Sequence, residues 1–315
     1  MLVPRQSKMT CPHRSSRFVS KLGPVVKLLT LLFVVTAASV GPVHAQEAIE
    51  ESETYRVKTS GGNVVVGTVV SASDQDVVVD TRHLGTVTIQ RDDIQSIEQV
   101  DPDAVRDGEY WFANPQSTRY FFAPNAIGIP RGEGYYQNAW IFFNNANYGV
   151  SDHLSIGAGT VPIFLFGAPA VPIWVLPKVS IPTPTENVHL AGGAVLGGIV
   201  GEGGGVGGGL LYASSTVGNR DHNATIGLGY GYADGDISST PAINVSGMTR
   251  VSRTLYLISE NYFLPGVDGG NLISAGVRWA PENFAVDFAL FRPLSLESDS
   301  LIGFPWLGLT IPFGE

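Results

Sequence analysis

One cysteine occurs in 315 residues, Cys11, and it lies in a basic stretch ahead of the first apolar run. Without that leader the chain has none, which excludes disulfides and thiolate metal sites. Its place before the apolar run, not after it, also argues against a lipoprotein anchor. Charge is scarce: charged residues make up 15 % of the chain against 44 % hydrophobic ones. Long apolar runs are missing too. Leu28 to Val40 (LLTLLFVVTAASV) is shorter than the roughly 20 residues a membrane helix needs. Val161 to Leu176 (VPIFLFGAPAVPIWVL) is apolar on both faces, but Pro162, Pro169 and Pro172 exclude a stable membrane helix there. Neither GxSxG nor HExxH occurs.

What is present in the leader is charge of one sign. The first 45 residues hold six Lys or Arg (Arg5, Lys8, Arg14, Arg17, Lys21, Lys27) and no acid. A basic region, a short apolar core and Val43-His44-Ala45 at the peptidase-read positions predict a signal peptide over 1–45, cut before Gln46. Met9 is an alternative start that leaves export unchanged. Removing six cations takes the formal charge from −9 to −15. An acidic product does not suit phosphate contacts, so nucleic acid is set aside as a partner.

After an acidic linker, 46–53, residues 54–100 read as a small β domain. Ser60-Gly-Gly-Asn63 and His83-Leu-Gly85 are tight turns, with Gly supplying positive φ. Arg91-Asp-Asp-Ile94 reads as one helical turn before a last short strand. Five short strands with a helical turn before the last resemble the SH3-like or Sm-like small barrels. That resemblance rests on pattern over some forty-five residues. It implies binding of a peptide, protein or RNA, and Asp74, Asp76, Asp80, Asp92 and Asp93 speak against RNA. A periplasmic spacer without a ligand fits equally. Residues 101–116, with Pro102, Gly108 and Pro115, read as a second linker, its aromatics Tyr110, Trp111 and Phe112 suited to a membrane interface or to packing on the small domain.

The remainder, 117–315, alternates with period two. Ile273, Ala275, Val277 and Trp279 share one face and Ser274, Gly276 and Arg278 the other. Val286, Phe288 and Leu290 oppose Ala285, Asp287 and Ala289, and Leu307, Leu309, Ile311 and Phe313 oppose Gly308 and Thr310. In Ile226 to Tyr232 the large side chains oppose Gly227, Gly229 and Gly231. Strands are expected at 118–124, 136–148, 153–166, 172–182, 188–200, 204–214, 223–233, 241–251, 254–264, 271–280, 284–292 and 305–313. Short turns at 150–152, 251–253 and 280–283 contrast with longer ones at 218–223, 233–239, 265–270 and 295–300. The fold class is therefore all-β: an antiparallel transmembrane barrel of about twelve strands after the small domain.

The stretch Asn114-Pro-Gln-Ser-Thr-Arg-Tyr-Phe-Phe-Ala-Pro124, with Gly132-Glu-Gly-Tyr-Tyr-Gln-Asn138 and Asn147 to Gly159 (NYGVSDHLSIGAG), resembles a group of uncharacterised outer-membrane β-barrel proteins of Gram-negative envelopes. The resemblance spans most of 114–315. It implies a barrel in the outer membrane, with the lipid bilayer as partner, and brings no activity with it.

Three functions are left by these observations: a channel or porin-like passage for small solutes, a structural role in which residues 54–100 dock a periplasmic partner, and an outer-membrane hydrolase. His153, Ser155, His189 and His222, with Glu186, Asp221 and Glu260, are the residues a hydrolase would draw on, but chain spacing brings no nucleophile to a base. The reading is not an enzyme, with no catalytic residue, cofactor or metal site expected. The charges expected to line the lumen are Glu260, Arg278, Asp287 and Arg292, since a charge facing lipid at mid-membrane costs roughly 2–4 kcal/mol. Internal ion pairing of these groups would brace a closed barrel. On that basis an apolar replacement of Arg278 should alter stability more than conductance.

Overall fold

The structure, a computed structural model, describes residues 49–202, 204–205, 207–267, 270–294 and 303–314. The expected signal peptide, Cys11 and the expected loop 295–300 lie outside these residues.

The first sheet is antiparallel and has five strands: β1 (Thr54–Thr59), β2 (Val64–Ala72), β3 (Asp76–Thr81), β4 (Gly85–Gln90) and β5 (Ile94–Gln99). Their order is β4-β3-β2-β1-β5, with a 3₁₀ turn at Arg91–Asp93 before β5. Val57, Val69, Val77 and Val79 are wholly buried in it. At Gly67, β2 passes so close to β3 that a Cβ would stand 2.1 Å from the Asp80 carbonyl oxygen. The segment expected as a plain linker carries structure: a 3₁₀ turn at Pro102–Ala104, then a hairpin of β6 (Val105–Arg106) and β7 (Glu109–Tyr110).

The second sheet is a closed barrel. Its twelve full strands are β8 (Gly134–Ala139), β9 (Phe143–Ser151), β10 (Leu154–Thr160), β11 (Ala170–Ile181), β12 (Val188–Gly201), β13 (Gly208–Gly218), β14 (His222–Ala233), β16 (Ala242–Arg250), β17 (Leu255–Phe263), β18 (Leu272–Trp279), β19 (Ala285–Pro293) and β20 (Phe304–Phe313). A two-residue β15 (Asp236–Ile237) folds back antiparallel on the end of β14. Every strand pairs antiparallel with its neighbour in sequence, and β20 pairs with β8 to close the ring. Closure leaves no unpaired edge, the condition for a sheet in hydrocarbon.

The outward face is apolar. Ile226, Leu228 and Tyr230 on β14, Val277 and Trp279 on β18, and Leu307, Leu309 and Ile311 on β20 are all exposed. Register puts Gly227, Gly229 and Gly231 on the same inward face as Ser214, Tyr212 and Leu210 of β13. This is the lipid-facing belt of a transmembrane barrel.

Two expected strands are corrected, although the total of twelve stands. Residues 136–148 are two strands, β8 and β9, joined by a turn at Trp140 and Ile141, whose φ values of 49° and 68° are left-handed. Asn138 Nδ2 donates to the Ile141 carbonyl at 2.9 Å and Asn144 Nδ2 to that of Phe142 at 3.0 Å, holding a turn without glycine. Residues 118–124 are not a barrel strand; their one bridge joins Arg119 to Pro124. The turn classes also shift. The β13–β14 connection at Asn219 to Asp221 is short and shares an end with the turns at 152–153, 251–254 and 280–284; the connections at 161–169, 234–241 and 264–271 are at the other end. We call these the turn end and the loop end.

Candidate functional site: a plugged lumen with an aromatic cavity

Residues 112–130 rise from the turn end into the lumen and return before β8 begins. The path follows from their partners. At the turn end Phe112 packs under Arg250 and Arg253, at 5.8 and 5.5 Å from ring centre to guanidinium carbon. Higher in the lumen, Arg278 of β18 holds three carbonyls of the segment: Nη1 donates to Gln116 at 2.7 Å and Arg119 at 3.3 Å, and Nη2 to Tyr120 at 2.7 Å. The same guanidinium grips Asp287 of β19 twice, at 2.7 and 3.0 Å. Glu260 of β17 accepts from the Phe121 and Phe122 amides at 2.7 and 3.0 Å and from Tyr262 Oη at 2.5 Å. A tight turn, Tyr120 N to Ala123 O at 3.0 Å, reverses the chain there.

On the way down, the Ala126 amide donates to Thr216 Oγ1 at 2.8 Å, and Lys178 Nζ donates to the carbonyls of Asn125 and Ile127 at 3.0 and 2.6 Å. Tyr120 Oη sits between Asn223 Oδ1 and Thr225 Oγ1 at 2.7 and 2.6 Å. Arg220 spans Ser117 and Gly128 from the turn end, and burial lowers its guanidinium pKa from the ordinary value while Glu133 pulls the other way. Gln116, Tyr120, Phe121 and Asn125 are fully buried. Gln137 Nε2 of β8 adds a bond to the Phe121 carbonyl at 3.0 Å, so side chains of five strands, β8, β11, β13, β17 and β18, and Arg220 of a turn meet the segment's backbone, as buried irregular chain requires.

Gly149 marks where the plug leaves the lumen. A Cβ there would stand 2.0 Å from the Pro130 carbonyl oxygen. Gly149→Val is expected to lower stability by about 1–3 kcal/mol, because the contact is backbone that cannot rotate away. The temperature at which the folded gel band is lost on heating checks it; an unchanged temperature contradicts this exit path.

Above the plug, toward the loop end, lies a cavity of about 450 Å³. Aromatic rings form a continuous wall from plug to rim. Phe122 meets Trp306 at 6.5 Å between centroids, Trp306 meets Trp140 at 5.0 Å, Trp140 meets Phe143 at 6.3 Å and Phe143 meets Trp174 at 6.2 Å. The doubly apolar stretch 161–176 supplies part of this wall. Trp174 and Leu176 of β11 line the cavity, while Ile173 and Val175 point to lipid. Polar groups gather at the floor: Thr118 and Arg119 of the plug, and Ser155, Lys178 and Ser214 of the barrel. A second cavity of about 310 Å³ lies at the turn end beside Arg220, Asp152 and Glu186.

Of the four charges expected in the lumen, Glu260, Arg278 and Asp287 are buried and face inward. Arg292 is corrected: it pairs with Ile273 and shares the outward face of Phe288 and Leu290. It stands near the loop end of β19, where the cost of a lipid-side charge falls to roughly 0–1 kcal/mol. Of the residues a hydrolase would use, Glu186 and His189 both line the second cavity, but no serine is among its described lining residues. His189 Nε2 contacts the Gly218 carbonyl at 3.1 Å and His222 Nδ1 contacts Thr249 Oγ1 at 2.8 Å. Asp221 binds Arg250 at 3.0 Å and accepts from Tyr256 Oη at 3.0 Å. Among the described residues no group of three His, Cys, Asp or Glu could hold a metal. Missed from sequence were Arg119, Lys178 and the tryptophans 140, 174 and 306. The one signal for Lys178 was a lone cation on the face that β11 does not show to lipid.

No protein-family model matches the chain, and no curated protein matches it. Among solved structures it is similar to the KdgM porin, with 6 % identity and a TM-score of 0.41, covering 58 % of this chain and 99 % of that one. It is also similar to the outer membrane protein Omp33 of Acinetobacter baumannii (9 % identity, TM-score 0.33, 61 % of this chain and 100 % of that one). A third likeness is to OmpF of Salmonella typhi, in complex with daunomycin (9 % identity, TM-score 0.32, 82 % and 95 %).

Proposed function

We propose that this protein is an outer-membrane barrel that admits a small, largely apolar solute from the loop end, with residues 112–130 closing the path to the turn end. The observation that carries this reading is the aromatic-walled cavity of about 450 Å³ between the plug and the loops, within the usual range of small-molecule sites. The apolar belt supports a membrane address, and the short-turn end is the periplasmic side by the general rule for such barrels. The leader 1–45 is the export signal on this reading.

Bromobenzene, which quenches tryptophan by contact, tests it. Saturable quenching that disappears when Trp140, Trp174 and Trp306 are together replaced by Phe is the expected result. Quenching that persists unchanged in that triple variant contradicts the reading, because it then comes from the outward Trp279 or from Trp111.

A second role belongs to the small sheet. Its strand order, β5-β1-β2-β3-β4 with a 3₁₀ turn before β5, is what supports reading residues 54–100 as an SH3-like barrel. It is joined to the barrel rim by Arg56, which bonds Glu282 at 2.6 Å and Glu98 at 2.9 Å. In this place it would dock a periplasmic protein or peptide. Co-purification of a partner that is lost on deleting 54–100 is expected; a partner retained by the deletion variant contradicts it.

A further inference from the structure

The floor of the aromatic cavity carries two basic side chains, Arg119 and Lys178, that no acid among the described residues pairs with. Arg119 is 8 % exposed and Lys178 7 % exposed, and neither makes an ion pair among the described residues, where the pairs involve other cations. Among the described residues the only side-chain hydrogen bond of Arg119 is a long one, 3.5 Å from Nη1 to Gln137 Oε1, and its Nε is buried with no partner there. Lys178 spends two of its three protons on plug carbonyls. Thr118 Oγ1 and Ser214 Oγ, on the same floor, and Trp306 Nε1 in the wall are also buried without partners. Among the described residues no Asp or Glu lines the cavity. Glu260, the acid behind the wall, has its oxygens filled by two plug amides and Tyr262.

A buried guanidinium without a carboxylate is costly, and so is each unsatisfied donor. Structural ion pairs elsewhere in this lumen, such as Arg278 with Asp287, show how the fold treats a cation it means to keep closed off. The floor is built differently. It gathers Thr118, Arg119, Lys178 and Ser214 in the lining, under apolar walls.

We propose that the cavity binds an amphipathic anion, its acidic head on Arg119 and Lys178 and its apolar body along the wall from Phe122 to Trp174. This rests on the reading of the cavity as a solute site, and it names the class of solute. Bidentate geometry favours a carboxylate on Arg119, with Thr118 and Ser214 as further donors. The head could arrive on a free acid from solution or on an anionic membrane lipid.

The full mature protein in non-ionic detergent is titrated with bromoundecanoate and with bromoundecanol, following tryptophan quenching. The acid should bind about tenfold or more tightly than the alcohol, the usual margin of a charge-assisted hydrogen bond. Arg119→Gln should remove that margin and Arg119→Lys should keep part of it, both with the wild-type heat-dependent gel shift. Lys178→Met should also lose the margin, but with a lowered shift temperature, because it strands the plug carbonyls of Asn125 and Ile127. Equal affinity of acid and alcohol in the wild type overturns the anion assignment while leaving the solute site standing. No saturable quenching by either probe overturns the solute site itself. Mass spectrometry before titration separates the sources: a co-purified anionic lipid that Arg119→Gln releases places the head on a lipid, and an empty protein that takes up the acid places it in solution.

Discussion

Arg278→Met should cost about 3–5 kcal/mol, the range for removing one partner of a buried pair and stranding the other. Asp287, 1 % exposed, would keep its carboxylate with no counter-charge, and the carbonyls of Gln116 and Tyr120 would lose their donors. The denaturant midpoint and the temperature of the heat-dependent gel shift should both fall. The double variant Arg278→Met/Asp287→Leu should recover part of the loss, since an apolar pair replaces an ion pair nearly neutrally, but not all of it, because the plug carbonyls remain unsatisfied. Full recovery would mean that Arg278 braces only the barrel wall. The sequence-based expectation separated stability from conductance at this residue. With three plug carbonyls on one guanidinium, both should move.

The second large effect is on conductance. A barrel of eight strands is filled by its own side chains, and one of sixteen to eighteen leaves an aqueous channel. Twelve strands lined by Gly227, Gly229, Ser214 and Thr225 leave room that the plug takes up. Replacing 112–130 by a short Gly-Ser bridge between β7 and β8 should raise single-channel conductance on the order of tenfold over the wild type, which should be nearly closed. Retention of the heat-dependent gel shift would verify that the barrel stays folded. A wild-type conductance equal to that of the excised variant would place the constriction elsewhere, at the loops.

The parts of this fold that face lipid were legible because lipid imposes a rule on every second residue. Three short runs within Leu272 to Phe313 alternate, and the structure sets Ile273, Val277, Leu307 and Ile311 outward. The plug obeys no such rule. Thr118 to Phe122 is aromatic and β-branched and reads as a strand, but its amides are met by Glu260, more than a hundred residues away. No local pattern carries that pairing. The turn at Trp140 and Ile141 escaped notice for a related reason: its left-handed residues are not glycine or asparagine, and Asn138 and Asn144 make it possible from either side. Arg292 was assigned inward by the cost of charge at mid-membrane, whereas its position near the rim decides the matter. The cavity floor was invisible because Arg119 and Lys178 are 59 residues apart in the chain and meet only once the plug is seated.

Cavity floor and closed path both depend on the plug being inside the lumen, and amide hydrogen exchange of residues 116–127 reports on that directly. The amides of Gln116, Tyr120, Phe121, Phe122, Asn125, Ala126 and Ile127 all have acceptors. They should exchange as slowly as those of the barrel strands in the wild type, and quickly in Arg278→Met. Fast exchange across 116–127 in a protein whose strands stay protected would contradict the plugged lumen, and with it the cavity that the plug floors.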